Sequence, residues 1–134
     1  MKPVKQEHIL GCGISCVAFI LRISYKEALQ LFEDGENKAN SCGFYCKDII
    51  IAMGKRGVAY KLKYIKKDTG DILFIQNTII LLRKSKKYQA GHYLVRYRNN
   101  WMDPWINVPE LNVKAGYRIY LPGEPHYALI PVID

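Results

Sequence analysis

No uninterrupted apolar run in this chain, residues 49–53 and 79–82 included, approaches the ~20 residues that a membrane-spanning helix needs, so no span is expected. Acidic side chains are few, 12 against 20 Lys and Arg, for a formal net charge of +8. The imbalance is uneven: residues 1–56 carry eight basic and six acidic residues, residues 57–134 twelve and six. Such a surface favours acidic partners and loose association with polyanions, yet lysines on a solvated β edge explain it as well. Nucleic acid is therefore not the expected partner. Histidine is scarcer still, with three in the chain, His8, His92 and His126, which confines any imidazole chemistry to three positions. The first eight residues, MKPVKQEH, hold charge and no apolar stretch before a small-residue cleavage site. No secretory signal is expected, and the expected location is the cytoplasm or a compartment supplied from it.

What the chain does contain is a core. At 134 residues and 49% apolar composition it can bury roughly two-thirds of its unfolded surface, and residues 1–134 are expected to form one domain, helical over about 1–56 and sheet-forming over about 57–134. Residues 12–22 are apolar on nearly every side, the pattern of an enclosed central helix. Ser24 and Glu27 have capping-box spacing and open a second helix over 25–32, closed by Asp34-Gly35. The polar stretch 34–41 reads as a loop, and residues 44–55 as a third helix with Gly57 just past its end. Beyond Gly57 the periodicity drops to two: strands are expected over 58–64, 78–83 and 92–98, with Tyr93, Val95 and Tyr97 sharing a face. Asn99-Asn100 turns the chain into a hairpin over 92–103, and further strands follow at 117–121 and 127–132. Helices first and a mostly antiparallel sheet after them make an α+β fold.

The chemistry concentrates at QEHILGCGISC, residues 6–16. A thiol at a helix start is favoured as thiolate by the orphan N–H groups and the macrodipole, and Cys12 stands where the first helix should begin. Gly11 and Gly13 are expected to keep side chains away from it, so that a substrate with small residues at the reacting bond can approach. Attack on an amide also needs a group that takes and returns a proton. His92 opens a strand, a rigid mount, whereas His8 and His126 are expected at the surface. Asp103, on the return strand and fixed by Pro104, is the expected orienter of His92, with Asn99 or Asn100 as alternatives. Gln6 can aim its amide at a developing oxyanion beside the Cys12 N–H. Gly91, next to His92, and Trp101, with Trp105 across Asp103, are expected to contact substrate and shield the pair from water.

Each of these residues also fits a plainer role. Cys12 alone would suit a buried core position, and Cys16, one turn on, is expected in the core. Cys42 and Cys46 repeat the Cys12/Cys16 spacing and raise the possibility of a structural zinc, but such a site would consume the nucleophile; no metal or organic cofactor is expected.

Taken together, Gln6, Cys12-Gly13, Cys16, the stretch Gly91-His92-Tyr93-Leu94-Val95 and Asp103-Pro104 resemble the motifs of the bacteriocin-processing cysteine peptidases, family 39 of the cysteine peptidases. The resemblance implies a papain-like fold, Cys12 as nucleophile, His92 as general base and acid, Asp103 as its orienter and Gln6 in the oxyanion hole. Gly11 stands where that family usually has an acidic residue. The chain has neither span nor ATPase, so it resembles a free-standing member, and cleavage after a double glycine does not carry over. The expected activity is a thiol peptidase acting on a polypeptide substrate, with an additional protein partner left open. Two other functions stay open: a deamidase or transglutaminase-like acyltransferase on the same residues, and a noncatalytic basic module that binds nucleic acid or protein.

Overall fold

A computed structural model describes residues 1–67 and 70–132. Among them four α-helices precede Gly57 and six strands follow it. Helix α1, Cys12–Leu21, is buried along residues 12–19 because the sequence offers no polar stripe to present to water. It packs against α2 (Tyr25–Leu29), α4 (Cys46–Gly54) and the sheet. Phe19 at its far end is 2% exposed; burial of such a side chain contributes ~1.5–3 kcal/mol. Arg22 closes α1 in the left-handed conformation at φ 58°.

Ser24 caps α2 as its spacing predicts, its Oγ accepting the Glu27 N–H at 3.0 Å. The helix stops at Leu29 rather than at residue 32, and the expected loop over 34–41 is instead a helix, α3, Gly35–Ser41. Its only buried residues are Gly35 and Ala39, so it has no apolar stripe for periodicity to detect. Local bonds define it: Asp34 turns the chain at φ 52°, Asn37 bonds the Asp34 carboxylate at 3.1 Å, and Ser41 Oγ donates to the Asn37 carbonyl at 2.7 Å. Helix α4 starts two residues later than expected, where the Tyr45 N–H donates to Asp48 Oδ2 at 2.9 Å. It ends before Gly57, which takes φ 76° while the Val58 N–H returns to the Met53 carbonyl.

The sheet comprises β1 (Tyr60–Tyr64), β2 (Ile79–Leu82), β3 (His92–Tyr97), β4 (Asn100–Asp103), β5 (Gly116–Arg118) and β6 (Pro125–Pro131). Its order is β1-β6-β2-β3-β4-β5, with antiparallel neighbours throughout. A 3-10 helix over Gly70–Phe74 had no sequence signal. Strand β5 stops at Arg118, three residues short of expectation, while β6 begins earlier, at Pro125. On the edge strand β1, Lys61 and Lys63 are exposed, as expected of lysines that guard a free edge.

Strand β3 is buried on both faces. Tyr93 and Val95, with Met102 of β4, join the helices in one core. Leu94 and Trp101 face the other way into a second core with Ile80, Leu82 and Tyr88, covered by loops and the 3-10 helix rather than by the α-helices. His92, Arg96 and Asp103 alternate onto that second face, where Arg96 lies between the rings of Phe74 and Trp101, 4.9 and 5.1 Å from their centroids.

Candidate active site

The N-terminus of α1, the start of β3 and the end of β4 meet at one edge of the molecule. The hairpin register pairs Val95 with Met102, which brings His92 and Asp103, eleven residues apart, side by side at its open end. His92 Nε2 and Asp103 Oδ1 are 2.7 Å apart, with the carboxylate fully buried and the imidazole nearly so. With Nε2 engaged, Nδ1 is the ring nitrogen left for Cys12, whose thiol interacts with the imidazole across the site. As the first residue of its helix, Cys12 also offers an N–H with no intrahelical acceptor. Asn99 and Asn100 lie at the far end of the hairpin, away from His92.

Burial by itself would pull the His92 pKa down. The hydrogen bond that His92 donates to Asp103 and the interaction with Cys12 outweigh it, and the value is raised to about 9. Burial likewise pushes the Asp103 carboxyl up, but bonds from His92, Arg118 and the Trp105 N–H bring it below its ordinary value. The Cys16 thiol, fully buried and close to Cys12, is raised well above its usual range and behaves as the core residue expected of it. All four cysteines are free thiols.

Two residues of the site escaped the sequence. Tyr88 stacks flat on the imidazole, ring centroids 4.4 Å apart and planes within 5°. Arg118 Nε donates to Asp103 Oδ2 at 2.6 Å. Nothing local marks Tyr88, and Arg118 becomes visible only through the register that sets Trp101 opposite it, diagonal to Asp103.

A cleft of ≈ 570 Å³ opens over Cys12 and His92. Its walls are apolar, from Ile9, Leu10, Trp105 and Val108, and Lys86 and Lys87 stand on one lip. Gly91 lines it, held at φ 79°, where a Cβ would come within 2.9 Å of the Leu82 carbonyl.

Other expected contacts are corrected. Trp101 is 3% exposed and belongs to the second core; Trp105 takes the place at the cleft, its indole N–H donating to the Glu110 carbonyl at 3.0 Å. Gly11 and Gly13 are small because protein, not substrate, crowds them. A Cβ on Gly11 would sit 2.1 Å from Tyr25 Oη, and one on Gly13 would sit 3.1 Å from Ile49 Cδ1. The inference from these glycines to small residues in a substrate therefore falls. His8 is half-buried rather than superficial, its Nδ1 2.9 Å from Tyr25 Oη. Gln6 is buried in the cleft, but its Nε2 donates to the carbonyls of His8 and Ile9 at 3.0 and 2.8 Å, while Oε1 meets no partner among the described residues. Its backbone N–H reaches the Pro104 carbonyl, and Leu10 N–H reaches that of Ala39, which fastens the loop before Cys12 to both the hairpin and α3.

No protein-family model and no curated protein matches the chain. Among solved structures it is similar to the peptidase domain of Streptococcus ComA, a bi-functional ABC transporter involved in a quorum sensing pathway. The TM-score is 0.58 at 21% sequence identity, over 99% of this chain and 98% of that one. The likeness bears out the fold read from the sequence, an α+β arrangement of N-terminal helices on an antiparallel sheet.

Proposed function

We propose that the chain is a thiol peptidase in which Cys12 attacks a peptide carbonyl and His92, oriented by Asp103, moves the proton. The observation that carries this reading is the buried His92 Nε2 to Asp103 Oδ1 contact at 2.7 Å with Cys12 at the adjoining helix start. A raised imidazole pKa keeps a proton on His92 through neutral pH, where the leaving amine can take it. The Cys12 N–H receives the oxyanion. His92 Nδ1 delivers its proton to the leaving amine, the acyl group stays on Sγ, and a water deprotonated by His92 then releases it.

Gln6 acts as the second oxyanion donor after its amide releases one of the two loop carbonyls. Because Oε1 has no partner among the described residues, that rotation breaks no bond on the oxygen side. The apolar walls accept side chains of an extended polypeptide, a substrate class shared in name with the ComA peptidase domain.

The test is alkylation by iodoacetamide, mapped over all four cysteines by peptide mass spectrometry, in wild type and His92→Ala, followed by incubation with a peptide library. Cys12 should react faster than the exposed Cys42 at neutral pH and lose at least about tenfold without His92. Library peptides should be cut by wild type and not by Cys12→Ala. Equal rates at Cys12 and Cys42 would sink the reading; ammonia release without chain cleavage would replace it with deamidation.

A further inference from the structure

Asp103 is held more firmly than a carboxylate that merely steers an imidazole requires. His92 Nε2 and the Trp105 N–H share Oδ1, at 2.7 and 2.9 Å, and Arg118 Nε holds Oδ2 at 2.6 Å. Arg118 is fixed in turn, its Nη2 donating to the Ile106 carbonyl at 2.9 Å, with its side chain only 22% exposed. The guanidinium comes near the buried Tyr88 hydroxyl without reaching hydrogen-bond geometry. It is bonded to the carboxylate beside His92 and lies near the plate beneath it. A carboxylate with a free Oδ2 could turn about its Cβ–Cγ bond and abandon the imidazole; a guanidinium bonded to Oδ2 and anchored on a backbone carbonyl prevents that turn.

We propose that Arg118 is a positioning residue of the thiol site, which locks the Asp103 carboxylate in the plane that faces His92. The inference rests on the peptidase reading above. The groups that face Asp103 are His92 on β3, Arg118 on β5, Cys12 and Cys16 on α1, and Tyr88 in the loop before β3. Arg118 is the one permanent cation among them. Its loss leaves a buried carboxylate without fixed counter-charge, so Asp103 should take up a proton at higher pH. A protonated Asp103 no longer stabilises the imidazolium, and the thiolate goes with it.

The full chain is treated with iodoacetate between pH 4 and 10, and the rate at Cys12 is followed by peptide mapping. An anionic reagent needs the thiolate and slows when the imidazolium loses its proton, so the profile has two limbs. Arg118→Met should lower the maximum about tenfold and move the acid limb up by about one pH unit. Arg118→Lys should restore the limb, because the charge returns, but only part of the maximum, because an ammonium cannot bridge Oδ2 and the Ile106 carbonyl in the same fork. Thermal melts check that both variants fold; should Met fail to, Arg118→Gln is read in its place. If wild-type Cys12 shows a His92-dependent bell and the Arg118→Met limbs coincide with it, the positioning role is overturned while the peptidase reading stands. A pH-independent drop that Lys does not rescue overturns it too, leaving a purely structural tie. If wild-type Cys12 has no advantage over Cys42, both readings fall together.

Discussion

The two sides of the cleft are held by different forces. On the hairpin side, His92, Asp103 and Arg118 form a chain of short charge-assisted contacts, 2.7 and 2.6 Å long, around a carboxylate with no exposed surface. On the helix side Cys12 is placed differently. Its position follows from close packing, with Tyr25 Oη against Gly11 and Ile49 against Gly13, and from backbone ties of its loop to Pro104 and Ala39. The proton-moving side must hold orientation through changes of charge, which hydrogen bonds do well. The nucleophile side must hold a position, which packing does at no electrostatic cost. It follows that the hairpin should answer to pH and the helix start to added methyl groups.

The largest effect is expected from pH. His92 is raised from 6.5 to about 9 by folding. Its contribution to stability is therefore fully present below about 6.5 and is lost as pH rises through about 9, because over that window the unfolded chain has already released the proton that the folded chain retains. The loss is about 3 kcal/mol. Cys16 and Cys46, raised by burial, also lose their contribution as the unfolded thiols ionise on the alkaline side. Asp103→Asn separates the two, since it takes away the Asp103 part of the His92 slope and leaves the part of the thiol slope that burial causes. Asp103 itself has the opposite sign: its lowered pKa stabilises the fold above its unfolded value, and this is lost as pH falls through the folded one. Urea unfolding of wild type and Asp103→Asn from pH 5 to 9.5 measures this. Parallel curves would mean that the hairpin is not held by charge.

The asymmetry also explains what the sequence could disclose. Cys12, His92 and Asp103 were legible because each sits at a boundary that local grammar marks: an apolar helix start, the first residue of an alternating strand, and a residue before proline. Helix α3 was hidden because only Gly35 and Ala39 are buried. Gly11 and Gly13 were seen but misassigned, since a sequence shows that a residue is small and not what crowds it. Trp101 and Trp105 both flank Asp103, and only the β4 pairing decides that the first turns into the second core. Arg118 is fifteen residues beyond Asp103, and its role depends on the register of a three-residue strand. No periodicity over so short a stretch can fix that.

A smaller effect, on the packing side, is expected from Gly11→Ala. The new Cβ would lie 2.1 Å from Tyr25 Oη and 3.2 Å from the His8 carbonyl, and the hydroxyl cannot swing away freely because His8 Nδ1 holds it at 2.9 Å. The loop before Cys12 must shift, at about 1–3 kcal/mol. Tyr25→Phe in the same chain should recover part of that cost by deleting the oxygen. Urea midpoints of the three variants give the coupling, and additive values would show that Tyr25 does not set the position of Gly11.

The smallest effect is expected from Gly13→Ala, and it makes the comparison sharpest. A Cβ there would meet Ile49 Cδ1 at 3.1 Å and Tyr93 Cδ2 at 3.5 Å. The first is the end of a side chain that can yield by a few tenths of an ångström, although Ile49 is fully buried. Against that strain stands the gain of about 1 kcal/mol from replacing glycine in a helix by alanine. The two nearly cancel, so the net change should stay within about 1 kcal/mol of zero. Ile49→Val, which deletes the methyl at the contact, should make the same substitution favourable. The iodoacetate profile at Cys12 should keep both limbs in place in either background, because no charge near His92 has changed. A limb that moved with Gly13→Ala would mean that packing reaches the proton-moving side, and the division of labour between the two walls of the cleft would be lost.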